Sequence, residues 1–135
     1  MSAAKSSVFL DSNVVLYLLA ADVKADHAEA LLKRRAIISV QVLNEVTNVC
    51  RRKLQMSWDD IGQFLALVRH FCKVMPLTIE VHEGARQIAQ RHQFSFYDAC
   101  IIAAAAVAGC KTLYSEDMNH GQTLENGLTI ANPFI

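Results

Sequence analysis

The chain has no surplus of charge. Thirteen Lys and Arg offset 13 Asp and Glu over 135 residues, for a formal net charge of +0. A basic excess is the usual electrostatic footprint of a nucleic-acid binder, so any such role must rest on local clusters. Glycine (5), proline (2) and aromatics (7%) are also scarce, which excludes a collagen-like or Pro/Gly-rich low-complexity chain. No long hydrophobic run occurs. The longest, Ala99 to Gly109, is far short of the ~20 residues of a membrane-spanning helix. The opening MSAAKSSVFLD has one Lys and no long apolar core before Asp11, so it does not read as a secretory signal. The four cysteines, Cys50, Cys72, Cys100 and Cys110, form no CxxC pair. They read as free, buried thiols of a cytoplasmic protein. The five histidines show no HxxxH or HExxH spacing, and no GxxxxGK[ST], GxGxxG or GxSxG occurs. Zinc hydrolase, P-loop, dinucleotide-binding and serine-hydrolase readings therefore have no support.

What is present is a dense apolar chain, 53% hydrophobic with mean hydropathy +0.22, of a length that suits one domain spanning residues 1–135. Short apolar segments alternate with helical patterns. Val8–Leu10, Ala36–Ser39, Lys73–Leu77, Lys111–Tyr114 and Leu128–Ile130 read as strands. Helices are expected over Val14–Ala20, Asp22–Arg35, Val40–Leu54, Ser57–Phe71, Ile79–His92 and Ser95–Ala108, several opened by a Ser or Thr cap. Strands alternating with helices imply a parallel sheet covered on both faces, a three-layer α/β/α sandwich.

Acids recur where this pattern turns. Asp11 follows the first strand, and Glu116 and Asp117 follow the fourth. Asp98 opens the helix before that strand, and Glu45 lies beside the apolar stripe of Val42, Val46 and Val49. Ligands of open parallel sheets bind in the crevice beyond the strands' carboxyl ends. Each acid also has an ordinary reading. Asp98 suits a capping box with Ser95, Asp11 an N-cap, Glu45 an ion pair with Arg51 or Arg52, and Asp117 a turn. Their joint placement along one sheet edge is what points to chemistry. Clustered carboxylates repel one another unless a cation offsets them, and Mg²⁺ or Mn²⁺ takes such hard oxygen ligands. A phosphatase that forms an aspartyl-phosphate after its first strand needs a second acid two residues on, and Asn13 stands there. The basic clusters Lys33–Arg35 and Arg51–Lys53 read first as helix ends set against the dipole.

The segments VFLDSNVVLYLL, ISVQVLNEVTNVCRRK, SFYDACIIAAAAVAGCKTLYSEDM and GQTLENGLTIANPF resemble the PIN-domain ribonucleases, in particular their VapC-type toxin branch. The likeness runs along essentially the whole chain. It implies a central parallel sheet of four to five strands and a divalent-metal-dependent endoribonuclease acting on single-stranded or structured RNA. It further implies Asp11, Glu45, Asp98 and Asp117 as catalytic, metal-holding acids, with Glu116 as the alternative to Asp117. Asn13 and Ser115 fall at supporting polar positions, and Arg51 and Arg52 are candidates for the RNA backbone. Mg²⁺ or Mn²⁺, a cognate antitoxin protein and a homodimer are the implied cofactor and partners. A non-catalytic RNA- or protein-binding module of the same fold is the rival reading, which the neutral net charge favours.

Overall fold

The computed structural model describes residues 8–124 and 127–135. The first seven residues, where the absence of a secretory signal was read, and Glu125 and Asn126 of the tail segment lie outside them. Five strands, β1 (Val8–Leu10), β2 (Ile37–Ser39), β3 (Lys73–Met75), β4 (Thr112–Tyr114) and β5 (Thr129–Ala131), make one parallel sheet in the order β3-β2-β1-β4-β5. Parallel pairing requires a crossover between neighbours. Six helices supply it: α1 (Ser12–Leu16), α2 (Val23–Leu32), α3 (Val40–Arg52), α4 (Trp58–Phe71), α5 (Ile79–His92) and α6 (Phe96–Val107). They flank the sheet as an α/β/α sandwich. The strands are short and apolar because both faces are covered; every residue of β1 and β2 is buried.

Strand order fixes where a crevice opens. The chain lays β1, β2 and β3 outward in one direction, then returns past β1 to place β4 and β5 on its other side. The winding reverses between β1 and β4, and the loops leaving their C-terminal ends diverge there. Register carries both exits to the same level, with Leu10 opposite Tyr114.

The expected caps are made. The side chains of Asp22, Ser39, Ser57, Thr78 and Ser95 each accept a backbone N–H at the start of a helix. Boundaries move by a few residues, each for a local reason. The segment expected at Val14–Ala20 begins at Ser12 because Asp11 caps it, then tightens into a 3₁₀ turn over Tyr17–Leu19. The helix expected to reach Arg35 stops at Leu32, and Arg35 takes a left-handed φ of 58°. The last strand is shifted one residue onward to Ala131, whose carbonyl receives the Ser115 N–H at 3.0 Å.

Helix α6 is the most enclosed of the helices over its middle turns. Ala99 to Ala105 are all buried, so the helix is apolar all round, as an interior helix must be. Small side chains let α5 pack closely along it. A Cβ on Gly84 would meet that of Ala103 at 3.6 Å, an ordinary contact. Gly109 then turns the chain toward β4 at φ +76°.

Two glycine substitutions carry opposite expectations. Gly62 lies exposed within α4 with open space where a Cβ would stand. Gly62→Ala should therefore stabilise by about 0.5–1 kcal/mol by reducing the freedom of the unfolded chain. Gly109→Ala also meets no atom, but forces a side chain into the left-handed region and should cost about 1 kcal/mol. Denaturant midpoints of the two variants check the pair.

Candidate functional site

The chain leaves β1 at Asp11, which is only 3% exposed. Its Oδ1 accepts the Ser12 N–H at 2.7 Å, and its Oδ2 accepts the Ser115 hydroxyl, also at 2.7 Å. Burial nonetheless dominates and pushes the carboxyl up to about 6. The Ser115 and Ser12 hydrogen bonds oppose that rise, and the charges of Glu45 and Asp98 add to it.

Ser115, at the exit of β4, is fully buried. While donating to Asp11, its hydroxyl accepts the backbone N–H groups of Asp117 at 3.2 Å and Met118 at 3.3 Å. Asn13 lies beside it. Its amide donates to Asp11 Oδ2 and to Ser115 Oγ, both at 3.4 Å, and its carbonyl accepts the Glu116 N–H at 3.2 Å. The two polar residues singled out beside the acids thus tie the β1 exit to the β4 exit.

Glu45 sits in the second turn of α3, half-buried at the edge of the Val42–Val46 stripe. Its Oε1 accepts the Ser12 hydroxyl at 2.8 Å, and its Oε2 accepts the Gln41 amide at 3.1 Å. Ser12 therefore stands between the Asp11 and Glu45 carboxylates. Asp98 is in the first turn of α6, where its N–H donates to Ser95 Oγ at 3.3 Å. It stands three residues after the Ser95 cap, close enough to Asp11 and Asp117 for their charges to interact. Burial raises its carboxyl, the Ser95 hydrogen bond opposes this, and the charge of Asp117 adds to the rise. Asp117 is exposed on the loop after β4. The four acids thus form a chain of mutual influence, Glu45 and Asp98 acting on Asp11 and Asp117 on Asp98.

Glu116 points to other partners. Its carboxylate takes the Lys24 ammonium at 2.8 Å and a short hydrogen bond from the Tyr17 hydroxyl. Lys24 and then Tyr17 hold its carboxyl below the usual range, and the same contacts raise Lys24. The ammonium also lies 4.6 Å from the centre of the Tyr17 ring and 5.3 Å from that of Phe134. Of the alternatives Glu116 and Asp117, Asp117 is thus the one whose side chain forms no ion pair among the described residues.

Arg51 and Arg52 are the two basic candidates for the RNA backbone. Both lie in the last turn of α3, about 9–10 Å along the axis from Glu45 at 1.5 Å per residue. Arg51 is also committed locally. It donates to the Met56 carbonyl at 3.0 Å and covers the Trp58 ring at 4.9 Å. This is the helix-end role that a basic last turn fills.

Ser12, Gln41, Tyr17 and Lys24 were not singled out from the sequence. Gln41 had a signal, standing one turn before Glu45 on the same helix. Tyr17 and Lys24 had none, since they meet Glu116 only through the fold.

Among the described residues, no three His, Cys, Asp or Glu side chains converge into a ready metal-ligand set. The donor chemistry nevertheless suits a hard divalent cation: four carboxylates, none ion-paired among the described residues, two of them pushed toward the neutral form. Without a cation such groups repel, and Asp11 and Glu45 are each held by neighbouring hydroxyl or amide donors.

A family model described as PIN domain matches residues 8–123. No curated protein matches the chain. Among solved structures, Mycobacterium tuberculosis VapC20, a sarcin-ricin loop cleaving toxin, shares 23% identity at TM-score 0.67, covering 82% of this chain and 90% of that one. A toxin–antitoxin complex from Klebsiella pneumoniae gives 16% identity, TM-score 0.71 and coverage of 94% and 98%. VapBC2 from Rickettsia felis, bound to a DNA fragment from its promoter, gives 17%, 0.68, and 93% and 97%. At these identities the likeness establishes a shared fold. No helix among the described residues is long and apolar enough to cross a membrane.

The position of Asp11 has a consequence in pH. Its folded pKa, about 6, lies above the ordinary 3.8. The folded state therefore holds an extra proton between these values, and metal-free stability falls as pH rises through that window. Asp11→Asn removes the titration. In EDTA above pH ~6 it should be more stable than wild type by on the order of 1–2 kcal/mol, since one pKa unit is 1.36 kcal/mol and altered hydrogen bonds take back part of the gain. The difference should vanish near pH 4, as thermal melts across that range would show.

Proposed function

Because the chain belongs to the PIN-domain family, we propose that it is a divalent-metal-dependent endoribonuclease that hydrolyses phosphodiester bonds in single-stranded or structured RNA. One observation carries the reading. Carboxylates without cationic partners among the described residues gather where the β1 and β4 exits diverge, and one of them is buried with its carboxyl at about 6. Burying like charges together is costly unless a ligand offsets them.

In this reading Asp11, Glu45, Asp98 and Asp117 hold the cation, Mg²⁺ or Mn²⁺. When bound, the ion offsets their charge, lowers the pKa of an attacking water and neutralises phosphate oxygens. The remaining work belongs to the chain. Ser115 and the Ser12 N–H fix the Asp11 carboxylate from both sides. The Ser12 hydroxyl and Gln41 aim Glu45. Asn13 and Ser115 hold the backbone of residues 116–118, and so set where Asp117 stands. Lys24 and Tyr17 keep Glu116 out of the set. The expected products carry 5′-phosphate and 3′-hydroxyl ends. A toxin role with a cognate antitoxin over the crevice is part of the proposal, supported by a structural neighbour that is itself a toxin–antitoxin complex. A homodimer and a cytoplasmic location complete it. The second reading, a non-catalytic binding module, is favoured by the neutral net charge.

Two measurements decide between them. Purified protein should cleave RNA with Mg²⁺ or Mn²⁺ and stop in EDTA; undiminished cleavage in EDTA defeats the mechanism. Asp98→Asn should abolish most cleavage. It should also raise stability in EDTA, by up to about 1 kcal/mol after discounting solvent screening of a half-exposed group, and shrink the stabilisation that Mg²⁺ provides. A variant less stable in EDTA that still cleaves would reduce Asp98 to a capping acid.

A further inference from the structure

A groove lies at the start of α6, the helix that carries Asp98. The outer face of α5 and the first residue of α6 enclose a groove of about 510 Å³ lined by Glu83, Arg86, Gln87, Ala89, Gln90 and Phe96. Phe96 is its aromatic wall. The His82 ring meets it edge-on at 5.5 Å, and the Tyr97 ring at 5.9 Å. Tyr97 is 64% exposed and Phe96 37%. Large aromatic rings are usually withdrawn from water, yet these two adjoin Asp98 in the first turn of α6.

We propose that this groove binds an unpaired nucleotide of the RNA strand whose phosphate lies at the acids. The proposal rests on the ribonuclease reading and extends it to substrate selection. Three features favour RNA as occupant. Phe96 in the groove wall and the more exposed Tyr97 that adjoins it are rings on which an unstacked base can lie, the common means of gripping single-stranded RNA. Around them, Gln87, Gln90 and Glu83 supply amide and carboxylate groups, the donors and acceptors that read base edges. Arg86 is exposed and forms no ion pair among the described residues, so it is available to a phosphate oxygen. Phe96 of the groove wall and Asp98 of the acid set stand two residues apart in the first turn of α6, with the exposed Tyr97 between them. In the proposal the strand passes over Tyr97, around the start of α6, to reach Asp98. Tyr97 and Phe96 are then binding residues, and Gln87 and Gln90 set base preference.

The test uses the full chain and a short unstructured RNA with a 2-aminopurine in place of one base, whose fluorescence falls on stacking. In EDTA, wild type should quench the probe. Tyr97→Ala and Arg86→Ala should weaken binding roughly tenfold, within the range for loss of one base–aromatic stack, and Tyr97→Phe should restore it. With Mg²⁺, the alanine variants should raise KM while leaving kcat nearly unchanged. Gln87→Ala should shift the base found beside the cut, read by sequencing product ends. Both Tyr97 and Arg86 are exposed, so their variants should fold, and circular dichroism checks this. Unchanged quenching and cut-site preference in every variant overturns the groove assignment while the hydrolase reading stands. If no RNA is cleaved, the hydrolase reading fails, and quenching in EDTA still decides the groove. Variants that change molecular mass in light scattering without changing RNA binding would make this face a protein interface and overturn the proposal.

Discussion

The hydrogen bond from Ser115 to Asp11 joins the two halves of the molecule at the point where its winding reverses. The residues are 104 apart in sequence and donor and acceptor are 2.7 Å apart. Such a bond to a buried carboxylate is charge-assisted and strong for its kind. It also does more than satisfy Asp11. The same hydroxyl collects two backbone N–H groups from the loop after β4, so a single oxygen orders the β1 exit and the loop that carries Asp117. Asn13 repeats the connection from the other side. Side chains of the site lean on a sheet edge already set by the β1–β4 register, which is how a site of long-range contacts becomes rigid.

That arrangement explains how much could be read beforehand. The fold was legible because its signals are local: short apolar runs, capping residues at fixed offsets, and a Gly closing α6. Asp11, Asp98 and Asp117 were legible because each sits beside such a signal, and Glu45 because helical periodicity put it next to a buried stripe. Contacts made only by tertiary folding were not legible. Nothing in a linear reading tells that Lys24 and Tyr17 reach Glu116 across ninety-odd positions of chain, and this pairing is what separates the two adjacent acids. Arg51 and Arg52 show the same limit, since a basic cluster announces charge but not direction. The helix carries them away from Glu45, and Trp58 and the Met56 carbonyl then engage Arg51.

The charge distribution has its own logic. A net-neutral protein has little long-range field with which to draw in a polyanion. Its acidic side chains act against such an approach, and the Lys24–Glu116 ion pair is internally balanced. In the proposed reading, grip on an RNA strand has to come from short-range contacts such as stacking and hydrogen bonding, which depend less on salt than phosphate neutralisation does. The exposed rings at the start of α6 have a physical place in that scheme.

The four free cysteines, all buried, give the molecule an internal clock. Burial pushes Cys72 up to about 12 and Cys110 up to about 11, and raises Cys50 and Cys100 as well. The reactive species is the thiolate, and at neutral pH the folded protein holds almost none of it at these positions. An alkylating reagent therefore waits for the chain to open. The thiols are spread along α3, the α4–β3 junction, α6 and the entry to β4. The rate at which each is modified would report how often its own layer of the sandwich comes apart, with no label added to the protein.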